Sequence, residues 1–445
     1  MVSFITNGKV WTNDQLQEVS IAIDEGGKIN GLLSPDQILH DEAAKLIDAS
    51  GLIVIPGNLD MHAHLQDGVE TYYPGTCAAA AGGVTTVVDM PPFHGCITSS
   101  GCLERKELGE GQCVVDFMLA GGIVVSHDDL IEMDRVEQFG APYFKVFMPA
   151  HPPVDAGLLW QAVQTAACTG LRMVIHAEET GCLSPDVDWN DPLGFAQARP
   201  AVAETSATAQ VLEMSKAAGA PVHICHVSAG RTADLIDAYR GWGTDVTAET
   251  TPHFLLLDES EFLTQGSRVK TTPPLRSKGD TEILWDALSD GVIDVVVSDH
   301  FLGDLLVPGK MDQTLRQKGP GIAGIELSLP LLYDAGVAAG RISLGRFVQV
   351  MAASAADILN VADRKGQIRV GYDADLVVFD PNKKWKVAQQ GDFSRNLTSP
   401  YENRELQGRI VKTIVRGEVV WDGFNILCEK GFGKYQPTQS YENIH

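Results

Sequence analysis

Apolar and polar residues alternate over the first fifty positions, broken by Gly and Asn turns. Val2-Ser3-Phe4-Ile5-Thr6-Asn7-Gly8-Lys9-Val10 and Ser20-Ile21-Ala22-Ile23-Asp24-Glu25-Gly26-Gly27 show the pattern, and a period of two is that of short antiparallel strands. The same texture returns at Asp375-Leu376-Val377-Val378-Phe379-Asp380 and at Val411-Lys412-Thr413-Ile414-Val415-Arg416-Gly417-Glu418-Val419-Val420-Trp421. One small β-sandwich domain built from both chain ends is predicted. Between these stretches, β-branched runs alternate with longer helical segments such as Ser206-Ala207-Thr208-Ala209-Gln210-Val211-Leu212-Glu213-Met214, an order that points to a parallel α/β sheet or barrel. Candidate strands lie near 53–64, 84–91, 115–121, 143–148, 172–178, 221–228, 246–254 and 292–300. That number closes a (β/α)8 TIM barrel. The expected organisation is 1–54 as the first part of the small β-domain, 55–369 as the barrel, and 370–445 as the second part of the small domain with a tail.

The length of 445 residues agrees with a large barrel plus a smaller companion, since single cores stop growing at roughly 250 to 300 residues. No apolar stretch approaches the ~20 residues that span a bilayer, so no membrane partner is expected. The opening Met1-Val2-Ser3-Phe4 carries neither a basic region nor a long apolar run, which predicts no secretory signal and a cytoplasmic location. A formal net charge of -24 argues against nucleic acid, whose phosphates need clustered Lys and Arg, and favours a small neutral ligand. The cysteines (77, 96, 102, 113, 168, 182, 225, 428) form no CxxC pair, so neither a zinc knuckle nor a disulfide framework is expected.

Ionisable residues gather at the ends of the predicted strands, which in a barrel converge on the mouth where sites are built. The first strand ends Leu59-Asp60-Met61-His62-Ala63-His64, and histidines two apart point to one side. The fourth carries Lys145 in Tyr143-Phe144-Lys145-Val146-Phe147-Met148; the fifth ends His176-Ala177-Glu178, the sixth Cys225-His226-Val227-Ser228, the eighth Ser298-Asp299-His300. A lone strand histidine is more often structural than a ligand, and Asp299 alone could cap a helix. Lys145 is harder to dismiss, because a buried ammonium needs an acceptor or a change of chemistry. Several strands each ending in a potential ligand point to a metal centre, since the bland reading needs a separate accident for each.

These same residues resemble the cyclic amidohydrolase branch of the amidohydrolase superfamily, which includes allantoinases, hydantoinases and dihydroorotases. The likeness extends to Ala78-Ala79-Ala80-Ala81-Gly82-Gly83-Val84-Thr85-Thr86, Glu249-Thr250-Thr251-Pro252-His253, Pro273-Pro274-Leu275-Arg276, Gly321-Ile322-Ala323-Gly324 and Ser399-Pro400-Tyr401-Glu402. It implies a hydrolase with two divalent metal ions, zinc by default and manganese, cobalt or iron as alternatives. His62, His64 and Asp299 would hold one ion, and His176 and His226 the other. Lys145, carboxylated by carbon dioxide, would bridge them. The pair activates water and polarises the scissile carbonyl, with Asp299 as general base and then acid. His223 lies at odd spacing from His226 and reads as structural; His94, His253 and His300 are left open between structure and support of the ligands. A homo-oligomer, dimer or tetramer, is also implied.

Dihydroorotases carry an arginine soon after the His-x-His pair for the substrate carboxylate, where this chain has Gln66. Hydantoinases place a tyrosine five positions past the bridging lysine, where Ala150 stands. The runs Ala198-Arg199-Pro200-Ala201-Val202-Ala203-Glu204 and Gly321-Ile322-Ala323-Gly324-Ile325 look most like allantoinases, which open a five-membered ureide. Pro149-Ala150-His151-Pro152-Pro153 and Phe301 depart from that pattern, and a hydantoin or cyclic imide is the alternative, with a non-catalytic scaffold homologue behind it. Gln66, His151, Thr272, Gly321 and Ala323 are the candidate substrate contacts.

Overall fold

The computed structural model describes residues 3–34, 45–67, 70–91, 99–137, 139–302, 314–388 and 399–438. Its centre is a (β/α)8 barrel of parallel strands: β1 (Asn58–Ala63), β2 (Val84–Asp89), β3 (Asp116–Leu119), β4 (Tyr143–Phe147), β5 (Arg172–His176), β6 (Val222–Ile224), β7 (Val246–Thr250) and β8 (Val295–Val296). Ladders join β1 to β3 and β4 to β8. Gly121 N donates to Tyr143 O at 2.8 Å between the two groups, and a parallel bridge between Ala63 and His300 closes the ring. Each stretch expected to hold a barrel strand holds one.

The run 53–64 departs from expectation, because it is two strands. Ile53–Pro56 pairs antiparallel with Leu376–Lys386 in the outer domain, and β1 begins at Asn58. A Cβ at Gly57 would stand 2.2 Å from Thr85 Oγ1, so only glycine lets the chain pass from sandwich to barrel this close to β2.

Side-chain parity inside the barrel follows the strand period. Tyr143, Val174 and Cys225 face the interior with Met118 and Val295, while Phe144, Val146 and Ile175 pack outward under the helices. The same period turns Lys145 and His176 inward. In β1 the interior positions are Leu59 and Met61, and a register shift between Asp60 and Ala63 hands the inward side to His62 and His64. A bulge of this kind re-aims side chains beside a site. Ala352, Ala355, Ala356 and Leu359 stop the lower end of the barrel.

The outer domain is a sandwich. Its four-stranded sheet runs Ile29–Leu33, Ser20–Ile23, Ser3–Thr6, Lys45–Asp48; its six-stranded sheet runs Glu418–Trp421, Glu405–Val415, Leu376–Lys386, Ile53–Pro56, Lys9–Thr12, Gln15–Gln17. Ile5, Ile21, Ile23, Val54, Leu376, Val378 and Ile414 fill the space between them, and Val377 and Phe379 face the barrel. The chain's last described stretch returns to the barrel base: Phe117 N donates to Lys434 O at 3.0 Å and Gln436 N to Phe117 O at 2.8 Å. Asp116 accepts from Lys434 N at 3.0 Å, Gln436 Nε2 at 2.9 Å, Lys365 Nζ at 2.9 Å and the Arg416 guanidinium. No described helix is long and apolar enough to cross a membrane, and the described cysteines are all free.

Candidate metal centre and its cavity

Above the strand ends lies a cavity of about 390 Å³, lined by His62, His64, Lys145, His176, His226 and Asp299 on its floor. His62 Nε2 is 3.4 Å and His64 Nε2 3.9 Å from Asp299 Oδ1. His176 Nδ1 faces His226 Nε2 at 3.0 Å, and the rings of His62 and His226 are 5.4 Å apart. Lys145 Nζ donates to Cys225 Sγ at 2.9 Å; among the described residues no carboxylate lies within ion-pair distance of it. His226 and Asp299 both take positive φ, 32° and 45°, just beyond short strands. Such a backbone costs about 1–3 kcal/mol per residue and persists where its surroundings over-determine it. Here Cys225 N is bonded to Ile175 O, Val227 N to Glu249 O and Val297 N to Thr250 O.

Carboxylates behind the floor orient the imidazoles. Glu249 holds His62 Nδ1, receives His223 Nε2 at 3.1 Å and accepts from His226 N at 3.1 Å. Glu178 receives His176 Nε2 at 2.7 Å and is gripped on its other side by the Arg199 guanidinium. Asp67 stands 3.4 Å from His64 Nδ1. A bonded far nitrogen fixes the tautomer and leaves the near one free to ligate. Burial, then the charge of Lys145, brings His62 down to about 3, and burial leads in lowering His64, His176 and His226. All are neutral donors at pH 7. Burial would raise Glu178 and Glu249, but their histidine partners, with Arg199 beside Glu178, outweigh it; Glu178 falls to about 2 and Glu249 well below the carboxylate range.

The donor set fits a metal. Ligand atoms of His62, His64 and Asp299 lie within 4.8 Å of one another. Asp299 is pushed well above the usual carboxylate range by burial, against the pull of Lys145. Neutral imidazoles with carboxylate oxygen suit zinc and its first-row neighbours. His62, Cys225 and Glu249 form a second close group, but Glu249 is already committed to three partners and lines no part of the cavity.

The opposite wall comes from Phe147, Pro149, Arg199, Thr271, Thr272, Phe301, Pro320 and Gly321. Of the expected substrate contacts, Thr272 and Gly321 are there. Gln66 is half-buried, His151 exposed and Ala323 buried, and none of the three lines the cavity. Phe301 stacks edge-on against His64 at 5.3 Å, and Phe147 packs on His176 at 4.5 Å. His223 is bound between Glu249 and Thr247, and His300 reaches Glu70 at 3.3 Å. His253 is buried, which brings it down to about 3; His94 lies outside the described residues. Sequence reasoning gave no role to Arg199, Glu178 or Glu249, although Glu178 follows His176 by two on the strand path and so shares its side.

Residues 194–420 match the amidohydrolase family. The allantoinase of Escherichia coli strain K12 is 32% identical over 450 residues, covering 96% of each chain. A D-hydantoinase from a Bacillus sp. AR9 superposes with a TM-score of 0.89 at 29% identity, over 98% of this chain and 99% of that one. The L-hydantoinase (dihydropyrimidinase) from Arthrobacter aurescens does so with 0.89 at 30%, over 97% and 99%. With full-length relatives on this side and a ligand-bearing barrel mouth on the other, the chain belongs to the amidohydrolase family, in its cyclic amidohydrolase branch, and is a hydrolase of cyclic amide carbon–nitrogen bonds.

Proposed function

We propose that the protein is a two-metal hydrolase opening a small neutral five-membered ureide, allantoin or a near relative. The observation that carries this reading is the division of the cavity into an imidazole and carboxylate floor and a wall without an uncommitted cation. His62, His64 and Asp299 would hold one divalent ion and His176 and His226 the other. Lys145, carboxylated by carbon dioxide, would be shared between the ions, with zinc the default metal and manganese, cobalt or iron the alternatives. Bound there, the ions would supply water made acidic and a carbonyl made electrophilic.

The remaining work falls to the chain. Asp299 takes the proton of the attacking water on a carboxylate oxygen and returns it to the leaving ring nitrogen. Thr272 and the Gly321 backbone face the ring edge. A Cβ at Gly321, where φ is 149°, would meet Phe301 at 2.7 Å, so the close approach of backbone there needs glycine. Arg199, the wall's cation among the described residues, is tied through Nε and Nη2 to Glu178, and Gln66 offers no charge. A carboxylate on the substrate would lose hydration without a bidentate partner. Phe147, Pro149, Phe301 and Pro320 favour, as a second reading, a hydantoin or cyclic imide bearing an apolar group. The proposed assembly is a homodimer or homotetramer.

The test is a side-by-side hydrolysis screen of metal-loaded protein on allantoin, hydantoins, dihydropyrimidines, cyclic imides and dihydroorotate. Allantoin or a neutral relative should exceed dihydroorotate by at least ~10²-fold in kcat/KM, since each 1.4 kcal/mol is about tenfold. Dihydroorotate as the better substrate overturns the reading.

A further inference from the structure

Lys270 is buried at 5% exposure, and among the described residues no carboxylate lies within ion-pair distance of it. Its ammonium donates instead to two main-chain carbonyls, Leu315 O at 2.7 Å and Lys318 O at 2.6 Å. It also stands over two aromatic faces, 5.1 Å from the Trp189 ring centre and 4.9 Å from that of Phe195. These two rings are stacked on each other at 6.4 Å. The main chain of Lys270 adds a further tie, accepting from Gly321 N at 2.8 Å. Thus one side chain ties its own segment to two others that are distant in sequence.

Each of those segments ends in the cavity wall. Lys270 leads directly into Thr271 and Thr272, Lys318 into Pro320 and Gly321, and Phe195 sits in the short helix Gly194–Ala198 that delivers Arg199. The metal-side donors have strand ladders beneath them, whereas these wall residues lie outside the barrel ladders. Carbonyl oxygens and aromatic faces both attract a desolvated cation, and a single point charge on a flexible stem can satisfy several at once.

We infer that Lys270 is a positioning residue whose ammonium fastens the segments 189–199, 268–272 and 314–321 into the wall that orients the substrate ring. The inference rests on the proposed reading only in taking this cavity as the substrate site; the choice of ring does not enter. Loss of the ammonium loosens the wall and leaves the metal side in place. Ring binding therefore suffers before chemistry does.

The test is hydrogen exchange of the full-length, metal-loaded protein with mass detection, paired with kinetics on the best substrate of the screen. In Lys270→Met, peptides covering 314–321 should exchange at least about tenfold faster, as for a segment losing its anchoring bonds. Peptides of β1 and β5 and the bound metal should stay unchanged. KM should rise at least about tenfold with kcat within about twofold. Lys216→Met, which removes a comparable lysine over Trp242 on the surface (5.0 Å), should change none of these. Should Lys270→Met not fold, Trp189→Leu removes one ring and keeps both carbonyl bonds, with an expected rise of about threefold in the same peptides. Unchanged exchange at 314–321, or a fall in kcat at constant KM, overturns the inference. If no cyclic amide is hydrolysed by the unsubstituted protein, the proposed function fails, while the exchange data still decide the role of Lys270.

Discussion

The two sides of the cavity are built on different principles. On the proposed metal side each candidate donor stands on or just beyond a barrel strand, with ladder bonds beneath it and, for His62 and His176, a buried carboxylate behind it. On the proposed substrate side Thr272, Pro320, Gly321 and Arg199 ride on loops that meet at one lysine ammonium. Rigid strands hold atoms that must converge within a few tenths of an ångström, as ligation requires. Loops can vary around them, which is how one barrel serves many rings.

Substitutions on the metal side should therefore abolish chemistry, and those on the wall should grade it. The largest effect is expected at Lys145. Lys145→Ala should lose most bound metal, and kcat should fall at least ~10³-fold with partial rescue by short carboxylates; two retained ions with near-normal turnover would remove Lys145 from the centre. Asp299→Asn keeps the volume and removes the proton acceptor, so hydrolysis should drop by at least ~10²-fold while the melting curve is kept. Normal kinetics there would point to another base.

Behind the donors the effect should shrink. Glu249→Gln leaves His62 with a weaker partner, and metal affinity measured by competition with a chelator should fall about 10–100-fold; an unchanged constant would make Glu249 a packing residue. The smallest effect belongs to the wall. Burial, then the charge of Lys270 and that of Arg268, brings Lys318 down to about 7. The unfolded lysine titrates near ~10.4, so between those values the unfolded chain binds more protons and stability rises with pH. Relative to Lys318→Met, the unsubstituted protein should become more stable by on the order of 1–2 kcal/mol from pH 7 to 8.5 in urea unfolding. Parallel pH curves would show that Lys318 titrates normally.

What could be read from the sequence divides along the same line. The inward facing of Lys145, His176 and Asp299 follows from a period of two along strands that end at the barrel mouth, whereas that of His62 and His64 depends on the register shift in β1 and that of His226 on its positive φ, which no period records. Glu178 was within reach of that logic. The wall was not: Arg199 and Lys270 owe their places to loops packed across dozens of residues, and no local period records such packing. The path after β4 illustrates the limit. Pro149 lines the cavity and His151, two residues on, points to solvent. The break at Gly57 was hidden too, because the sandwich strand before it and the barrel strand after it are both buried throughout.

The clasp at the base of β3 sets a timetable for synthesis. Asp116 waits for Lys365, 249 residues later, and for Gln436, 320 residues later. At roughly 5–20 residues per second, the last of these partners reaches the ribosome about 15 to 60 s after Asp116 itself. Throughout that interval the nascent barrel exposes the open edge of β3 and a carboxylate destined for burial, both of which invite wrong pairing. The base of β3 is therefore completed only after all eight barrel strands have been made, when the stretch around Gln436 has been added.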